Sequence, residues 1–146
     1  DIDVHVIPTM SIPQGLSACV LFIPHVDVHE NLAEMTEAFK HVKTGLVTYA
    51  IKDSSMDGVT INANDYMGIL DKAIVVSVPS KTEAAKRLMD QLVTSEDGLI
   101  TVIVGEDVSD EEQDELVTYI TDRFDACEVE VHKGHQPVYS YIIGVE

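Results

Sequence analysis

Apolar and polar positions in the first 45 residues follow one strand-like and two helix-like patterns. Residues 3–8 alternate polar with apolar side chains up to a proline, which predicts a short strand. Residues 13–23, with Ser11 as the candidate cap, predict a helix that is apolar on every side and must be covered on every side. Asp27 and Glu30 have the spacing of a capping box and begin a second helix. The preceding residues offer the first helix too few partners, so we expect this chain to be a piece of a longer polypeptide.

The middle of the chain has the pattern of strands joined by tight turns. Residues 46–52 are β-branched and aromatic, as is typical of a strand. The dipeptide Asp57-Gly58 predicts a turn before a short strand. Residues 66–78 predict a hairpin, although Gly68 weakens its first arm.

The last third of the chain alternates helices with strands. Ser80 with Glu83, and Ser109 with Glu112, form capping boxes that each begin a helix. Three strands are expected, at residues 99–104, 128–131 and 138–145. The first of them is almost uninterruptedly apolar, which is typical of a strand covered on both faces. Because helix and strand alternate from residue 80 onward, the crossover rule implies a parallel pair. We therefore predict an α/β fold with a mixed sheet and flanking helices.

The charge balance excludes several classes of partner. Nine Lys and Arg residues stand against 26 Asp and Glu residues, which gives a net charge of −17 at pH 7. Such a chain is repelled by nucleic acid and by an anionic membrane surface, and no apolar run reaches the roughly 20 residues that span a bilayer. A basic protein surface would be attracted, and its encounter would be accelerated. Solubility of a cytoplasmic protein is the plainer interpretation of the same charge.

One loop concentrates carboxylates where open α/β sheets place their sites. Gly105 ends the most apolar strand, and five acidic residues follow it at the start of a helix: Glu106, Asp107, Asp110, Glu111 and Glu112. A phosphate-binding loop would offer several glycines and a lysine here instead. The helix dipole explains part of this enrichment. A solvated helix start, a patch for a basic partner and a cation site remain as alternatives, and the spacing of an EF-hand is absent.

The final strand supplies the second group of candidates. Tyr139 and Tyr141 alternate after Gln136-Pro137, so they are expected to share one face. Core packing with hydroxyls at the rim, or a contact surface, would each account for that pattern.

No pattern in the sequence specifies an active site or a metal centre. Cys19 lies in the apolar helix and Cys127 in an acidic stretch, and both settings disfavour a thiolate. His132 and His135 flank a turn without a third ligand at a recognised spacing. We therefore expect neither a catalytic residue nor a metal site in this chain. A small hydrolase or a metal-dependent phosphatase is the remaining enzymatic hypothesis.

Four motifs carry a resemblance that covers essentially the whole chain. They are Val-Ile-Pro-Thr-x-Ser-Ile-Pro-Gln-Gly at residues 6–15, Val-Lys-Thr-Gly-x-Val-Thr-Tyr-Ala at 42–50, Gly-Glu-Asp-Val at 105–108 and Gly-x-Gln-Pro-x-Tyr-x-Tyr at 134–141. In this order, with a final Val-Glu, they resemble the C-terminal domain of fatty acid kinase A proteins, also called dihydroxyacetone-kinase-related fusion proteins.

The resemblance implies a docking module rather than an enzyme. The parent would be a bacterial kinase that holds ATP and magnesium on other domains, and this chain would carry no cofactor of its own. The partner would be a DegV-type fatty-acid-binding protein, which presents an acyl carboxylate for phosphorylation in phospholipid synthesis. An acidic groove would hold a basic surface of that partner.

The two-lobe fold of that partner also implies a division of this chain. Residues 1–45 would be the remainder of a first lobe, and residues 46–146 the complete second lobe. The residues expected at the partner surface are Glu106, Asp107, Asp110, Glu111, Gln136, Tyr139 and Tyr141. The alternative hypothesis is a fatty-acid-binding domain in its own right.

Overall fold

The structure, a computed structural model, describes residues 2–146 and divides into two compact units. The first unit extends to Val42, and the second covers Lys43–Glu146. The predicted division after residue 45 is close to this boundary, but that the first unit is the remainder of a lobe stays a prediction. The first unit contains helices α1 (Ile12–Val20) and α2 (Val28–Lys40).

Side-chain hydrogen bonds define the starts of both helices in the first unit. The Ser11 hydroxyl accepts a hydrogen bond from the backbone N–H of Gln14 at 3.3 Å. Asp27 accepts one from the backbone N–H of His29 at 2.9 Å. Both capping residues were predicted from the sequence, but Asp27 binds the N–H of His29 rather than that of Glu30, and Glu30 makes no return bond among the described residues, so the expected capping box is not formed.

One expectation for the first unit is wrong. The strand predicted at residues 3–8 does not form, because a strand needs a neighbour for its backbone groups and no described strand pairs with residues 2–10. Helix α1 is left largely uncovered by the described residues, in line with the shortage of partners noted in the sequence, since Pro13 and Ala18 are its only buried residues there. Leu16 is 48 % exposed and Val20 is 81 % exposed. The first unit therefore presents an apolar surface rather than a closed core.

The second unit is built around a six-stranded mixed sheet in the order β5-β4-β1-β8-β6-β7. Its elements are β1 (Lys43–Tyr49), β2 (Ser54–Met56), β3 (Val59–Ile61), β4 (Tyr66–Leu70), β5 (Ala73–Val78), α3 (Lys81–Leu92), β6 (Leu99–Val104), α4 (Asp110–Arg123), β7 (Glu128–Lys133) and β8 (Tyr139–Val145). The last strand, β8, lies between β1 and β6 and is antiparallel to both. Strands β6 and β7 are parallel and are joined by α4, which confirms the predicted parallel pair, and the predicted α/β class with a mixed sheet is confirmed as well.

Helices α3 and α4 pack against one face of this sheet. The buried apolar core consists of Val47, Val76, Ala84, Ala85, Leu88, Met89, Leu92, Ile100, Val102, Val104, Leu116, Ile120, Tyr141, Ile143 and Val145. Gly68 has a role here that the sequence did not reveal. A Cβ at this position would lie 3.1 Å from the Cβ of Val76 and 3.3 Å from the Cβ of Leu88, so the missing side chain lets α3 approach the sheet closely.

Both predicted tight turns are confirmed. Asp57 and Gly58, between β2 and β3, have φ values of 55° and 80°. Asp71 and Lys72, between β4 and β5, have φ values of 44° and 87°. Two consecutive positive φ values are the mark of the two-residue hairpin turn whose twist matches that of the flanking strands.

Asp97 connects the beginning of β1 to the loop before β6. Its Oδ2 accepts hydrogen bonds from Lys43 Nζ at 2.6 Å, from Thr94 N–H at 2.6 Å and from the Thr94 hydroxyl at 2.9 Å. Partial burial by itself would raise the pKa of this carboxyl, but the bonds from Lys43 and Thr94 outweigh it and lower the pKa below its usual value.

We expect Asp97→Asn to lower the free energy of unfolding at pH 7 by about 1–3 kcal/mol, because a carboxylate accepting charged and backbone donors is replaced by a neutral amide. A lowered folded-state pKa gives stability that is present above the unfolded value of about 3.9 and is lost as the pH falls through the folded value. Urea unfolding at pH 7 and at pH 3 measures the difference, which should shrink at pH 3.

Glu96→Gln is the matched control, because it removes the same charge at a neighbouring exposed position. Its unfolding free energy should stay within about 0.5 kcal/mol of the wild type. Equal effects of the two substitutions would contradict the structural role of Asp97.

Candidate functional site

The candidate residues meet at one edge of the sheet. Because β8 runs antiparallel to both β1 and β6, the carboxyl ends of β1 and β6 lie beside the beginning of β8. Three loops therefore converge there: the one after Tyr49, the one after Val104 and residues 134–138 before β8. We call this edge the loop edge.

Gly105 allows two of these loops to pack backbone to backbone. Its N–H donates to the carbonyl oxygen of Ser140 at 2.8 Å, and the next N–H, of Glu106, donates to the carbonyl oxygen of Gln136 at 3.1 Å. A Cβ at Gly105 would collide with the carbonyl oxygen of Tyr139. The position of Glu106 is therefore set by the loop that leads into β8.

Asp107 is occupied by contacts within the chain. Its Oδ2 accepts a hydrogen bond from the Ser140 hydroxyl at 2.7 Å and lies 3.4 Å from Lys81 Nζ. The Lys81 ammonium also donates to the Asp107 carbonyl oxygen, lies 3.4 Å from Glu112 and sits 5.7 Å from the centre of the Tyr66 ring. Partial burial opposes the charged form of Lys81, but the Asp107 and Glu112 carboxylates outweigh it and raise the pKa of the ammonium. Lys81 thus neutralises part of the acidic loop.

Two further carboxylates of the loop also have internal partners. Asp110 lies 2.6 Å from Lys133 Nζ, and this lysine lowers the pKa of the Asp110 carboxyl. Glu112 completes the predicted capping box, since it accepts from the Ser109 N–H at 2.9 Å while the Ser109 hydroxyl accepts from the Glu112 N–H at 3.2 Å.

Glu106 and Glu111 remain available to a partner. Both are exposed, and neither side chain has a hydrogen bond or an ion pair with another described residue. Of the five adjacent carboxylates, these two therefore carry charge that no contact within the described chain offsets.

The two candidate tyrosines occupy different environments. Tyr139 lies at the exposed start of β8, whereas Tyr141 is 0 % exposed and belongs to the core. Burial, with the carboxylate of Glu112 nearby, raises the pKa of the Tyr141 hydroxyl. The prediction that Tyr141 lies on a contact surface is therefore wrong. Tyr141 lies two residues further along the central strand β8 than Tyr139, where helices cover the side of the strand that is exposed at Tyr139.

Gln136 organises the loop before β8 instead of facing outward. Its Nε2 donates to the carbonyl oxygens of Ile103 at 3.2 Å and of Tyr139 at 3.1 Å. A Cβ at Gly134 would collide with the Gln136 side chain, so this part of the last motif is packed tightly. Gln136 therefore positions the candidate surface and does not itself form it.

Val138 has a strained backbone that sequence reasoning missed. Its φ is 72°, and the N–H of Tyr139 donates to the carbonyl oxygen of Pro137 at 2.8 Å, which closes a three-residue γ-turn around Val138. A β-branched residue with positive φ is an outlier that costs about 1–3 kcal/mol. The Thr48 hydroxyl, which donates to the Val138 carbonyl oxygen at 2.8 Å, helps to hold the turn. The Pro-Val-Tyr sequence gives no sign of a positive φ at the valine.

Nothing in the described residues assembles a metal centre or an activated nucleophile. No group of three His, Cys, Asp or Glu side chains in residues 2–146 is placed to hold a metal ion. Burial and the Asp97 carboxylate raise the pKa of the Cys127 thiol, which disfavours the reactive thiolate. No helix in this part of the chain is both long and apolar enough to cross a membrane.

A groove of about 550 Å³ lies on the surface of α3 and α4. Its lining is charged and polar apart from the Tyr119 ring, and consists of Lys86, Asp114, Glu115, Thr118, Tyr119, Asp122 and Arg123. Lys86 contacts Glu115 at 2.6 Å, and the Tyr119 hydroxyl donates to Asp90 at 2.8 Å. These two contacts join the helices beside the groove, and no aliphatic residue lines it.

Comparison with known proteins identifies relatives over the full length of the chain. The family of fatty acid kinase A-like C-terminal domains (FakA-like, C-terminal) matches residues 1–146. Protein YloV of Bacillus subtilis (strain 168) is 38 % identical over 146 residues, and an uncharacterized protein of Staphylococcus aureus (strain USA300) is 36 % identical over 146 residues. All of this chain is covered in both alignments, but it spans only 26 % and 27 % of the two relatives.

Solved structures with the same fold come from the DegV family. The fatty acid kinase B3 protein of Streptococcus pneumoniae, loaded with linoleic acid, aligns with a TM-score of 0.54 at 12 % identity over 83 % of this chain and 50 % of its own. A DegV-family protein of Ruminococcus gnavus with vaccenic acid aligns with a TM-score of 0.55 at 14 % identity over 91 % of this chain and 54 % of its own. At these identities the likeness concerns the fold.

We expect Gly105→Ala to lower the free energy of unfolding by about 1–3 kcal/mol, because the added methyl group must displace the backbone of the loop before β8. Gly98→Ala is the control, since a Cβ there would meet no atom within 4 Å. Chemical denaturation of both variants measures the difference. Equal stabilities would contradict the close packing of the two loops.

Proposed function

Because the chain belongs to the family of fatty acid kinase A-like C-terminal domains, we propose that it is a docking module of a bacterial fatty acid kinase. In this role it binds a DegV-type fatty-acid-binding protein in the cytoplasm, so that the acyl carboxylate carried by that protein reaches the catalytic part of the kinase.

The main support for this proposal is a pair of carboxylates at the loop edge whose charge no contact within the described chain offsets. Glu106 and Glu111 are exposed on a chain with a net charge of −17, while their neighbours Asp107 and Asp110 are neutralised by Lys81 and Lys133. A basic protein surface would find favourable charge at this edge, and long-range attraction would accelerate the encounter. Of the acidic residues expected at the partner surface, we therefore propose that Glu106 and Glu111 make the contact.

Phosphorylation would take place on other parts of the polypeptide. The loop after β6 offers one glycine followed by carboxylates, and these would repel a nucleotide triphosphate rather than cradle it. ATP and magnesium would accordingly be held by other domains of the kinase, and this chain would contribute the contact with the fatty-acid-binding protein.

The alternative, that this chain binds a fatty acid itself, has weaker support. Its fold neighbours include proteins whose structures hold linoleic or vaccenic acid, but that likeness concerns the fold. No aliphatic residue lines the groove on α3 and α4. A fatty acid extracted in stoichiometric amount from the purified chain would favour this alternative over docking.

We expect the double substitution Glu106→Lys with Glu111→Lys to weaken binding of the DegV-type protein from the same organism by about 10-fold or more at low salt, because attraction becomes repulsion. Wild-type binding should itself weaken near 1 M salt, where the Debye length is about 3 Å. Sedimentation velocity or calorimetry at both salt concentrations provides the measurement.

The matched control is Asp122→Lys with Asp125→Lys, which makes the same change of charge near the end of α4. The helix separates Asp122 from Asp110 by roughly 18 Å, at 1.5 Å per residue. This control should bind much as the wild type does. Equal weakening by both double variants would indicate a general charge effect, and no wild-type complex at either salt would refute the docking function.

A further inference from the structure

Exposed apolar side chains adjoin the free carboxylates at the loop edge. They are Tyr49 and Ile51 at and after the end of β1, and Val138 and Tyr139 at the start of β8. We call these four residues the apolar rim. Ile51 is 82 % exposed and Val138 is 57 % exposed, although both are large aliphatic residues that a fold would ordinarily bury.

Strand pairing places the apolar rim at one end of the sheet. Thr48 pairs with Tyr139 across β1 and β8, and its hydroxyl donates to the Val138 carbonyl oxygen at 2.8 Å. Tyr49 directly follows Thr48 and pairs with Tyr66 of β4, on the other side of β1, and Ile51 lies just beyond it. The apolar rim therefore comes from the ends of two neighbouring strands.

The turn at Val138 adjoins the acidic part of the loop edge. The Glu106 N–H donates to the carbonyl oxygen of Gln136, and Gln136 Nε2 donates to that of Tyr139. Glu106 therefore stands next to the turn that presents Val138. An exposed carboxylate and an exposed apolar group are held together by one network of hydrogen bonds.

The conformation of Val138 has no explanation in the packing of the fold. Asn or Gly would adopt the positive φ with less strain, and the valine is exposed rather than part of the buried core. Strained positions that the surrounding structure maintains tend to occur where a ligand or a partner is bound. The side chain is thus exposed at a turn that hydrogen bonds from Thr48 and Gln136 hold in place.

Resting on the docking function proposed above, we propose that Val138, with the rest of the apolar rim, is the apolar anchor of the interface. It inserts into an apolar socket that is bordered by basic side chains on the partner protein. Charge complementarity selects this occupant, because a second copy of this chain would bring another net charge of −17 against Glu106. An anionic lipid surface would meet the same repulsion.

The test compares Val138→Asn with Met56→Asn in binding and in stability. Asparagine tolerates positive φ, so Val138→Asn should keep or raise the melting temperature while it weakens binding of the DegV-type protein about 10-fold or more. Since the lost contact is apolar, this loss should persist near 1 M salt. Met56 is similarly exposed but lies in the β2–β3 hairpin, whose Asp57 accepts a hydrogen bond from Ile74 N–H at the opposite edge of the sheet, and its substitution should leave binding unchanged.

Ile51→Ser provides an independent variant from a different loop, and it too should weaken binding without loss of stability. Wild-type affinity in both Val138→Asn and Ile51→Ser, with binding still sensitive to Glu106→Lys, would overturn the anchor and leave the docking function standing. A large loss of stability in Val138→Asn would also overturn it, since the valine would then serve the fold. If the wild-type chain forms no complex at all, the docking function fails and the anchor fails with it.

Discussion

The second unit depends on the insertion of its last strand between two strands that precede it in the chain. β8 pairs with β1 on one side and with β6 on the other, so neither half of the sheet is joined to the other without it. These pairings join residues that are distant in sequence. The entropic cost of closing such long loops is offset only when β8 enters the sheet and buries Tyr141, Ile143 and Val145. The same insertion brings the carboxyl ends of β1 and β6 to the beginning of β8. The loop edge is thus a direct consequence of the sheet order.

At that edge the structure divides the acidic residues into two groups. Asp107, Asp110 and Glu112 serve the fold, because Lys81, Lys133 and the cap at Ser109 occupy them. Glu106 and Glu111 have no such side-chain partner among the described residues. A surface that offers charge beside exposed apolar groups combines fast electrostatic encounter with a contact that salt does not screen. This division explains why net charge alone does not identify which carboxylates are free of internal contacts.

Much of the fold was predictable because its signals are local. The caps at Ser11, Asp27, Ser80 and Ser109 depend on side chains within three residues, and the turns at Asp57-Gly58 and Asp71-Lys72 depend on two residues each. Predictions that needed a distant partner were less successful. Residues 3–8 have the alternation of a strand but no described strand to pair with. Tyr139 and Tyr141 were rightly placed on one strand, but alternation does not say where along that strand the helices begin to cover it.

The sequence by itself therefore determined the class of the fold, its helix and strand order from β1 onward except for the short β2, its acidic character and the acidic loop after β6. Composition and short-range patterns suffice for these properties. Secondary structure depends on neighbouring residues, and net charge is a sum over all charged residues of the chain. The tertiary structure alone decided which carboxylates are neutralised, that Tyr141 is buried, that Gln136 holds the loop together and that Val138 is displayed with a positive φ. Apart from the Asp110–Lys133 pair, these features depend on β8 lying between β1 and β6. That arrangement pairs residues from 37 positions apart (Val104 and Tyr141) to 102 positions apart (Lys43 and Val145), and no local pattern encodes contacts over such distances.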